Sequence, residues 1–259
     1  MTVKNSSNKI QIMMREKYGW KLYEKEDIKV WLCGYQYHGL ENVFDTILSH
    51  VVKATTKHDV LKWIKNIKGH FSIIVETSDW VIALVDKICS YPIYTFTRGN
   101  DTYISNHAPV LKQECSLKES SYNPMAALEI AMSGFTIGSK TLYFGLDRLK
   151  GGECLLSYKG VLSREVYYTY SPYESNSKTK DQLKKEFTDV FMKVLIDLRD
   201  SSNGRQIAIP LSAGNDSRLI ASGLKKLEYE NVICFSYGRR GNYEVNTSKE
   251  VCDILGYKW

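Results

Sequence analysis

Residues 206–227 read QIAIPLSAGNDSRLIASGLKKL, and they decide the architecture of the second part of the chain. Gln206–Leu211 is a continuous apolar run of strand length, and Ser217–Leu227 has the composition of a helix. The rhythm then repeats. Asn231–Ser236 is a second apolar strand, and Glu244–Leu255, closed by Gly256, is a second helix. Strands that are apolar on both faces and alternate with helices predict a parallel α/β sheet.

Between the first strand and its helix stands Leu211-Ser212-Ala213-Gly214-Asn215-Asp216-Ser217-Arg218. Small residues at such a junction let backbone N–H groups turn inward around an anion, and the helix dipole adds to the attraction. The hydroxyls of Ser212 and Ser217 can donate to phosphate oxygens. An acid beside phosphates repels them unless a cation intervenes, so Asp216 argues for Mg²⁺. The loop fits neither GxxxxGK(S/T) nor GxGxxG. Its plainer reading is a strand–helix turn in which Asp216 caps the helix.

Upstream, Thr179-Lys-Asp-Gln182 makes a capping-box start. Behind it Leu183, Phe187, Val190, Phe191, Val194, Leu195 and Leu198 form one apolar face of a helix of about five turns. Residues 169–180, TYSPYESNSKTK, are polar and read as a linker. The expected division is 1–170, a linker at 171–180, and 181–259. Before the linker lie short apolar runs: Val30–Cys33, Phe71–Glu76, Trp80–Val85, Ile93–Phe96, Thr102–Ser105 and Glu153–Ser157. Gly99-Asn-Asp101 is a hairpin signal between two of them. Asn123-Pro124 before MAALEIAMS and Gly134 supplies cap, first-turn proline and C′ glycine for one helix. The expectation is an α+β antiparallel sheet sandwich followed by the beginning of an α/β parallel-sheet domain.

The chain has 259 residues, 43% hydrophobic and 25% charged, a balance that excludes a disordered chain. Its net charge of +6 comes from dispersed basic residues with acids beside them, so no nucleic-acid stripe is expected. No apolar stretch is long enough to span a bilayer, and MTVKNSSNKIQ lacks the form of a secretory leader. The six cysteines form no CxxC pair and read as reduced thiols of a cytoplasmic protein. His38, His50, His58, His70 and His107 show no metal-ligand spacing. Arg239-Arg240 reads as an exposed loop pair, with a phosphate or acidic substrate as its second reading.

SAGNDS resembles the SGGxDS pyrophosphate loop of the ATP pyrophosphatases, and its surroundings resemble the synthetase domain of the asparagine synthase family. The resemblance includes VICFSYGRRGNYEVNTSKEVCDILG. It implies an adenine nucleotide α-hydrolase-like fold, with ATP and Mg²⁺ as the bound groups. Leu211, Ser212, Gly214, Asn215, Asp216, Ser217 and Tyr237 are the implied ATP and pyrophosphate contacts. Asp216 is the implied Mg²⁺ residue, and Tyr237 the implied backbone partner of adenine. Ala213 stands where the second glycine is expected, and its methyl is tolerated if φ is negative.

The resemblance reaches back more weakly into an Ntn-hydrolase-like glutamine amidotransferase domain. It runs through Gly69–Ile74, Asp86–Tyr94 and Thr141–Leu146 with Gly151-Gly152. That domain uses a cysteine after the initiator Met, where this chain has Thr2. Its Asn-Gly-Glu corresponds to Cys33-Gly34-Tyr35, and Lys68 replaces an acid. The glutaminase is therefore expected to be lost.

The family implies amide formation in amino-acid biosynthesis: a small-molecule or peptide carboxylate is adenylated, pyrophosphate leaves, and ammonia or an amine displaces AMP. No catalytic residue is assigned, because the family's later acidic and lysine residues have no counterpart here. A homodimer is possible, and no membrane or nucleic-acid partner is expected. The alternatives are a truncated, non-catalytic nucleotide-binding or interaction protein, and an RNA-modifying ATP pyrophosphatase. Two buried-type strands cannot cover one another, and Tyr257-Lys-Trp259 reads as the start of a third, so truncation and poor solubility are expected.

Overall fold

Period-two alternation builds the first part of the molecule. In β3 (Ile28–Gln36), β4 (Gly69–Glu76), β5 (Trp80–Val85) and β9 (Glu153–Tyr158), one parity supplies Val30, Leu32, Ile73, Val75, Ile82, Leu84, Cys154 and Leu156 to one core. The other parity supplies Cys33, Ile74, Ala83, Val85 and Leu155 to a second core. A slip of one residue would exchange the two sets, so burial on both faces pins the register. The computed structural model describes residues 9–36, 43–172, 177–239 and 241–259. The chain divides into two units, Met1–Pro172 and Tyr173–Trp259.

In the first unit these four strands join β2 (Lys21–Lys25) and β10 (Val161–Val166) in an antiparallel sheet of order β10-β9-β5-β4-β3-β2. One face packs on α1 (Val43–Lys53) and α2 (Lys57–Asn66) through Ile47, Val51, Val60, Trp63 and Ile64. The other meets a second sheet of order β1-β7-β6-β8, formed by Lys9–Ile12, Asp101–Ser105, Tyr94–Arg98 and Leu146–Arg148. Ile10, Ile12, Ile93 and Ile104 fill that contact. On the outer side of the second sheet lies α3 (Ala108–Glu114), where Leu111 and Cys115 meet Phe96 and Leu146. The layer order is helix, sheet, sheet, helix, a mixed α+β sandwich.

Local chemistry explains the joints. Gly99-Asn100 closes the β6–β7 hairpin with Arg98 opposite Asp101, and Gly99 takes the positive φ of 58°. Asn123 caps α4 (Pro124–Ser133) by accepting from the N–H groups of Met125 and Ala126, and Gly134 ends it in the left-handed region. One pairing departs from the expected antiparallel pattern. β1 runs parallel to β7, because the chain returns to it only after the intervening strands.

Three helices escaped the sequence reading, α1, α2 and α3, although Thr56-Lys-His-Asp59 carries a capping-box signal for the second. The Thr56 side chain accepts from the Asp59 N–H, and Asp59 Oδ2 accepts from the Thr56 N–H at 3.0 Å. These bonds from the Thr56 hydroxyl and backbone hold the exposed Asp59 carboxyl below its ordinary value of 3.8. A depressed carboxylate stabilises above its unfolded value and loses that contribution as the pH falls. The acid limb of unfolding should therefore flatten below about pH 4 in Asp59→Asn. Circular dichroism titrations of the two proteins check this, and identical limbs would refute it.

The second unit contains α5 (Lys180–Ser202), β11 (Ile207–Pro210), α6 (Asn215–Lys226), β12 (Val232–Phe235) and α7 (Tyr243–Leu255). β11 and β12 pair in parallel, from Ile207 opposite Val232 to Pro210 opposite Phe235. Lys258 bridges Ile233 in parallel on the other side of β12, and the Cys234 N–H donates to the Lys258 carbonyl at 2.8 Å. Ile209, Leu211, Val232 and Cys234 meet Leu195, Ala221, Leu224, Cys252 and Tyr257 in one core.

Three expectations need correction. First, the strands are buried on one face rather than two, and Ala208, Pro210 and Phe235 are exposed. All three helices contribute to the same core, so they cover a single face of the pair. Second, α5 has 23 residues, more than the five turns expected, and half of its apolar face stays in water. Leu195 is buried and Phe191 and Leu198 half-buried, whereas Leu183, Phe187, Val190 and Val194 are exposed. Only the row containing Phe191 and Leu195 meets α6, at Gly223, where an added Cβ would stand 2.1 Å from Leu195 Cδ1. Third, α6 begins at Asn215, two residues before the expected start, so Asp216 lies inside its first turn and does not cap it.

Candidate nucleotide-binding site

The loop grows directly out of the parallel ladder. Leu211 is buried, and its N–H donates to the Phe235 carbonyl at 2.7 Å. The next residues then leave the sheet at the carboxyl end of β11, where open α/β sheets place ligands. Ser212 Oγ lies 3.1 Å from Ser217 Oγ and accepts from the Gly214 N–H at 3.1 Å. The Ser212 N–H donates to Ser217 Oγ at 3.0 Å. Two half-buried hydroxyls thus converge inside the turn.

Gly214 is the N-cap of α6, with φ −74°, and no side chain caps the helix. Its first-turn N–H groups are left to solvent or to a ligand. Asn215 and Asp216 are exposed in that turn. Ala213 is not among the residues with positive φ, so its methyl fits without left-handed strain. A residue that the sequence reading did not assign braces the loop. Arg218 Nε donates to the Gly214 carbonyl at 3.1 Å, and its terminal nitrogen donates to Asn215 Oδ1 at 2.7 Å. Its position four residues after Gly214, one helical turn on, was the available signal.

Beside the loop a cavity of about 520 Å³ runs between α6 and α7, lined by Asn215, Asp216, Arg218, Leu219, Val251 and Ile254 among others. At the end of β12, Tyr237 is 77% exposed and meets Phe235 edge to face, with ring centroids 5.4 Å apart. Gly238 follows at φ 136°, where a Cβ would stand 2.4 Å from Asn242 Nδ2. Asn242 in turn caps α7 by accepting from the Val245 N–H at 2.7 Å. Arg239 is exposed, its carbonyl accepts from the Asn242 N–H, and Arg240 lies outside the described residues.

In the first unit, Thr2 lies outside the described residues, as does the Tyr35 side chain. Cys33 is buried, its Sγ donates to the Tyr18 carbonyl at 3.3 Å, and burial pushes its thiol up to about 11. Such a thiol stays protonated at neutral pH and is a poor nucleophile. Burial likewise raises Cys89 to about 11, and Cys154 and Cys234 to about 12. Gly34 sits at φ 100° with the His70 carbonyl 2.0 Å from where a Cβ would be. Lys68 is exposed.

Asp86 organises the Asp86–Tyr94 segment. Its buried carboxylate accepts from the N–H groups of Phe71 at 2.9 Å, Ile88 at 2.8 Å and Ser90 at 3.3 Å. His70 Nδ1 lies 2.9 Å from Ser90 Oγ, and His50 stacks on Trp63. His107 Nδ1 is buried with no hydrogen-bond partner among the described residues, and His38 lies outside them. No group of three His, Cys, Asp or Glu able to hold a metal occurs among the described residues. No helix among them is long and apolar enough to cross a membrane.

No protein-family model matches the chain, and no curated protein matches it. Among the solved structures weakly similar to it are the following two. One is the glutamine phosphoribosylpyrophosphate (PRPP) amidotransferase of B. subtilis complexed with ADP and GMP. It has TM-score 0.34 and 10% identity over 58% of this chain and 32% of that one. The other is described as the allosteric regulatory enzyme of purine biosynthesis. It has TM-score 0.34 and 12% identity over 89% of this chain and 51% of that one. The chain therefore spans about a third and about half of their lengths.

Proposed function

We propose that the second unit binds ATP through its β and γ phosphates at the Leu211–Ser217 loop and serves an ATP-dependent, amide-forming ligation of the asparagine synthase kind. The observation that carries this reading is the pair of hydroxyls, Ser212 and Ser217, 3.1 Å apart at an uncapped helix N-terminus. One hydroxyl donates to the other, which leaves one free hydroxyl proton, the first-turn N–H groups and the helix dipole to act on one anion.

The donor set fits a divalent ion held jointly by protein and phosphate. Asp216 is exposed in the same turn and takes part in no salt bridge among the described residues. Bound Mg²⁺ would neutralise phosphate charge there. Arg218 holds the loop in shape, and the Tyr237 backbone at the end of β12 would partner adenine.

In the proposed reaction a carboxylate oxygen forms a bond to the α-phosphorus as the bond to pyrophosphate breaks. An amine then attacks the acyl carbon, AMP departs, and the amine proton passes to solvent or substrate. The loop's part is to hold the leaving pyrophosphate. The family's nucleophilic cysteine position holds Thr2 in this chain, so the amine is taken as such.

Calorimetric titration of the full chain with ATP, pyrophosphate and AMP, each with Mg²⁺, tests the loop. Pyrophosphate should compete with ATP, and AMP should bind at least about tenfold more weakly, the worth of one or two charge-assisted hydrogen bonds. Equal affinities for AMP and ATP would refute phosphate recognition by this loop. Carboxylate-dependent exchange of pyrophosphate into ATP would separately establish ligation chemistry.

A further inference from the structure

A cavity of about 600 Å³ opens in the first unit among α3, α4, the 134–143 segment and the outer side of β6 and β8. Its size falls in the roughly 300–1,000 Å³ range of small-molecule sites. Pro109, Ile130, Phe135 and Leu142 make much of the wall apolar. Every charged side chain in the lining is a cation: Lys112, Lys140 and Arg148.

Two of these cations already have company. Lys140 pairs with Glu129, which lies outside the lining, and Lys112 Nζ stands 5.1 Å from the centre of the Tyr143 ring. Arg148 differs. Its Nε is buried with no hydrogen-bond partner, and no salt bridge involves its guanidinium among the described residues. A buried donor without a partner is costly, and the Arg148 side chain as a whole is half-buried, so the rest of its guanidinium stays within reach of a ligand. Its flat fork matches a carboxylate in two-point contact.

We propose that this cavity binds a small organic carboxylate with an apolar body, its carboxylate on Arg148 and its body against Phe135, Leu142 and Ile130. The site is independent of the nucleotide reading, because every residue in it belongs to the first unit. The apolar wall disfavours a small hydrated ion such as phosphate, and the unpaired cation disfavours a neutral ligand.

The test uses 2-naphthoate and its neutral counterpart 2-naphthamide, titrated calorimetrically into the full chain. Naphthoate should bind once per chain and at least about tenfold more tightly than the amide. Arg148→Gln should weaken naphthoate binding about tenfold or more and leave the amide unchanged, and Arg148→Lys should restore part of the loss. Equal binding of the two compounds, no naphthoate binding at millimolar concentration, or an unchanged affinity in a folded Arg148→Gln protein would each overturn the proposal. Circular dichroism and the thermal midpoint establish folding. If Arg148→Gln fails to fold, Ile130→Trp fills the cavity from α4 instead. Loss of naphthoate binding then supports the site, and retention overturns it.

Discussion

Asp216→Ala should lower the affinity for ATP in the presence of Mg²⁺ by about ten- to a hundredfold, the worth of a hydrogen bond or close contact to a charged group. The fold should barely notice. Asp216 is exposed and takes part in no salt bridge among the described residues, so stability should change by no more than about 1 kcal/mol, the value of an acid near a helix N-terminus. The sign should reverse when the metal is removed. With EDTA present, the parent carboxylate repels the phosphates, and Asp216→Ala should bind ATP as tightly as the parent or more tightly. Titrations in Mg²⁺ and in EDTA measure both arms. Equal MgATP affinities for parent and variant would remove Asp216 from the site. Loss of binding in both media would indicate a damaged loop instead.

Gly34→Ala should be the most damaging small substitution in the first unit. Gly34 pairs with Phe71 in the central β3–β4 ladder at φ 100°. An added Cβ would stand 2.0 Å from the His70 carbonyl and 2.8 Å from Phe71 Cα, both backbone atoms that cannot swing aside. Strain and clash together should cost about 3–5 kcal/mol. Gly99→Ala is the natural comparison. It also has positive φ, at 58°, but no atom lies within 4 Å of the added Cβ, so only about 1–2 kcal/mol should be lost. Urea unfolding of the two variants separates the effects. A Gly34→Ala protein as stable as Gly99→Ala would contradict the close approach at β3.

Much of the local structure was legible because its causes are local. Asn123-Pro124 with Gly134 marked both ends of α4, Thr179 with Gln182 marked the start of α5, and Gly99-Asn100 marked a hairpin. Each signal consists of a residue bonding to backbone within four positions of itself. The same logic makes α2 a missed opportunity, since Thr56 and Asp59 form such a box. The candidate loop was legible in the same way, as small and hydroxyl residues between a strand and a helix. Arg218 was not, because what matters is the direction its side chain takes back over Gly214.

The sequence by itself determined many of the strands and helices, though not α1, α2 or α3, where several of them begin and end, and which residues crowd the Ser212–Ser217 turn. Tertiary structure alone decided how those segments are covered. A continuous apolar run in β11 and β12 reads as burial on two faces, yet α5, α6 and α7 share one core and leave Phe235 in water. The apolar stripe of α5 reads as one face, yet only its Phe191–Leu195 side meets Gly223. Arg148 reads as one basic residue among 35, yet its Nε ends up buried and unpaired beside an apolar cavity. Periodicity records that a side chain is apolar or charged. Which partner reaches it depends on elements far away in the chain, and only their packing settles that.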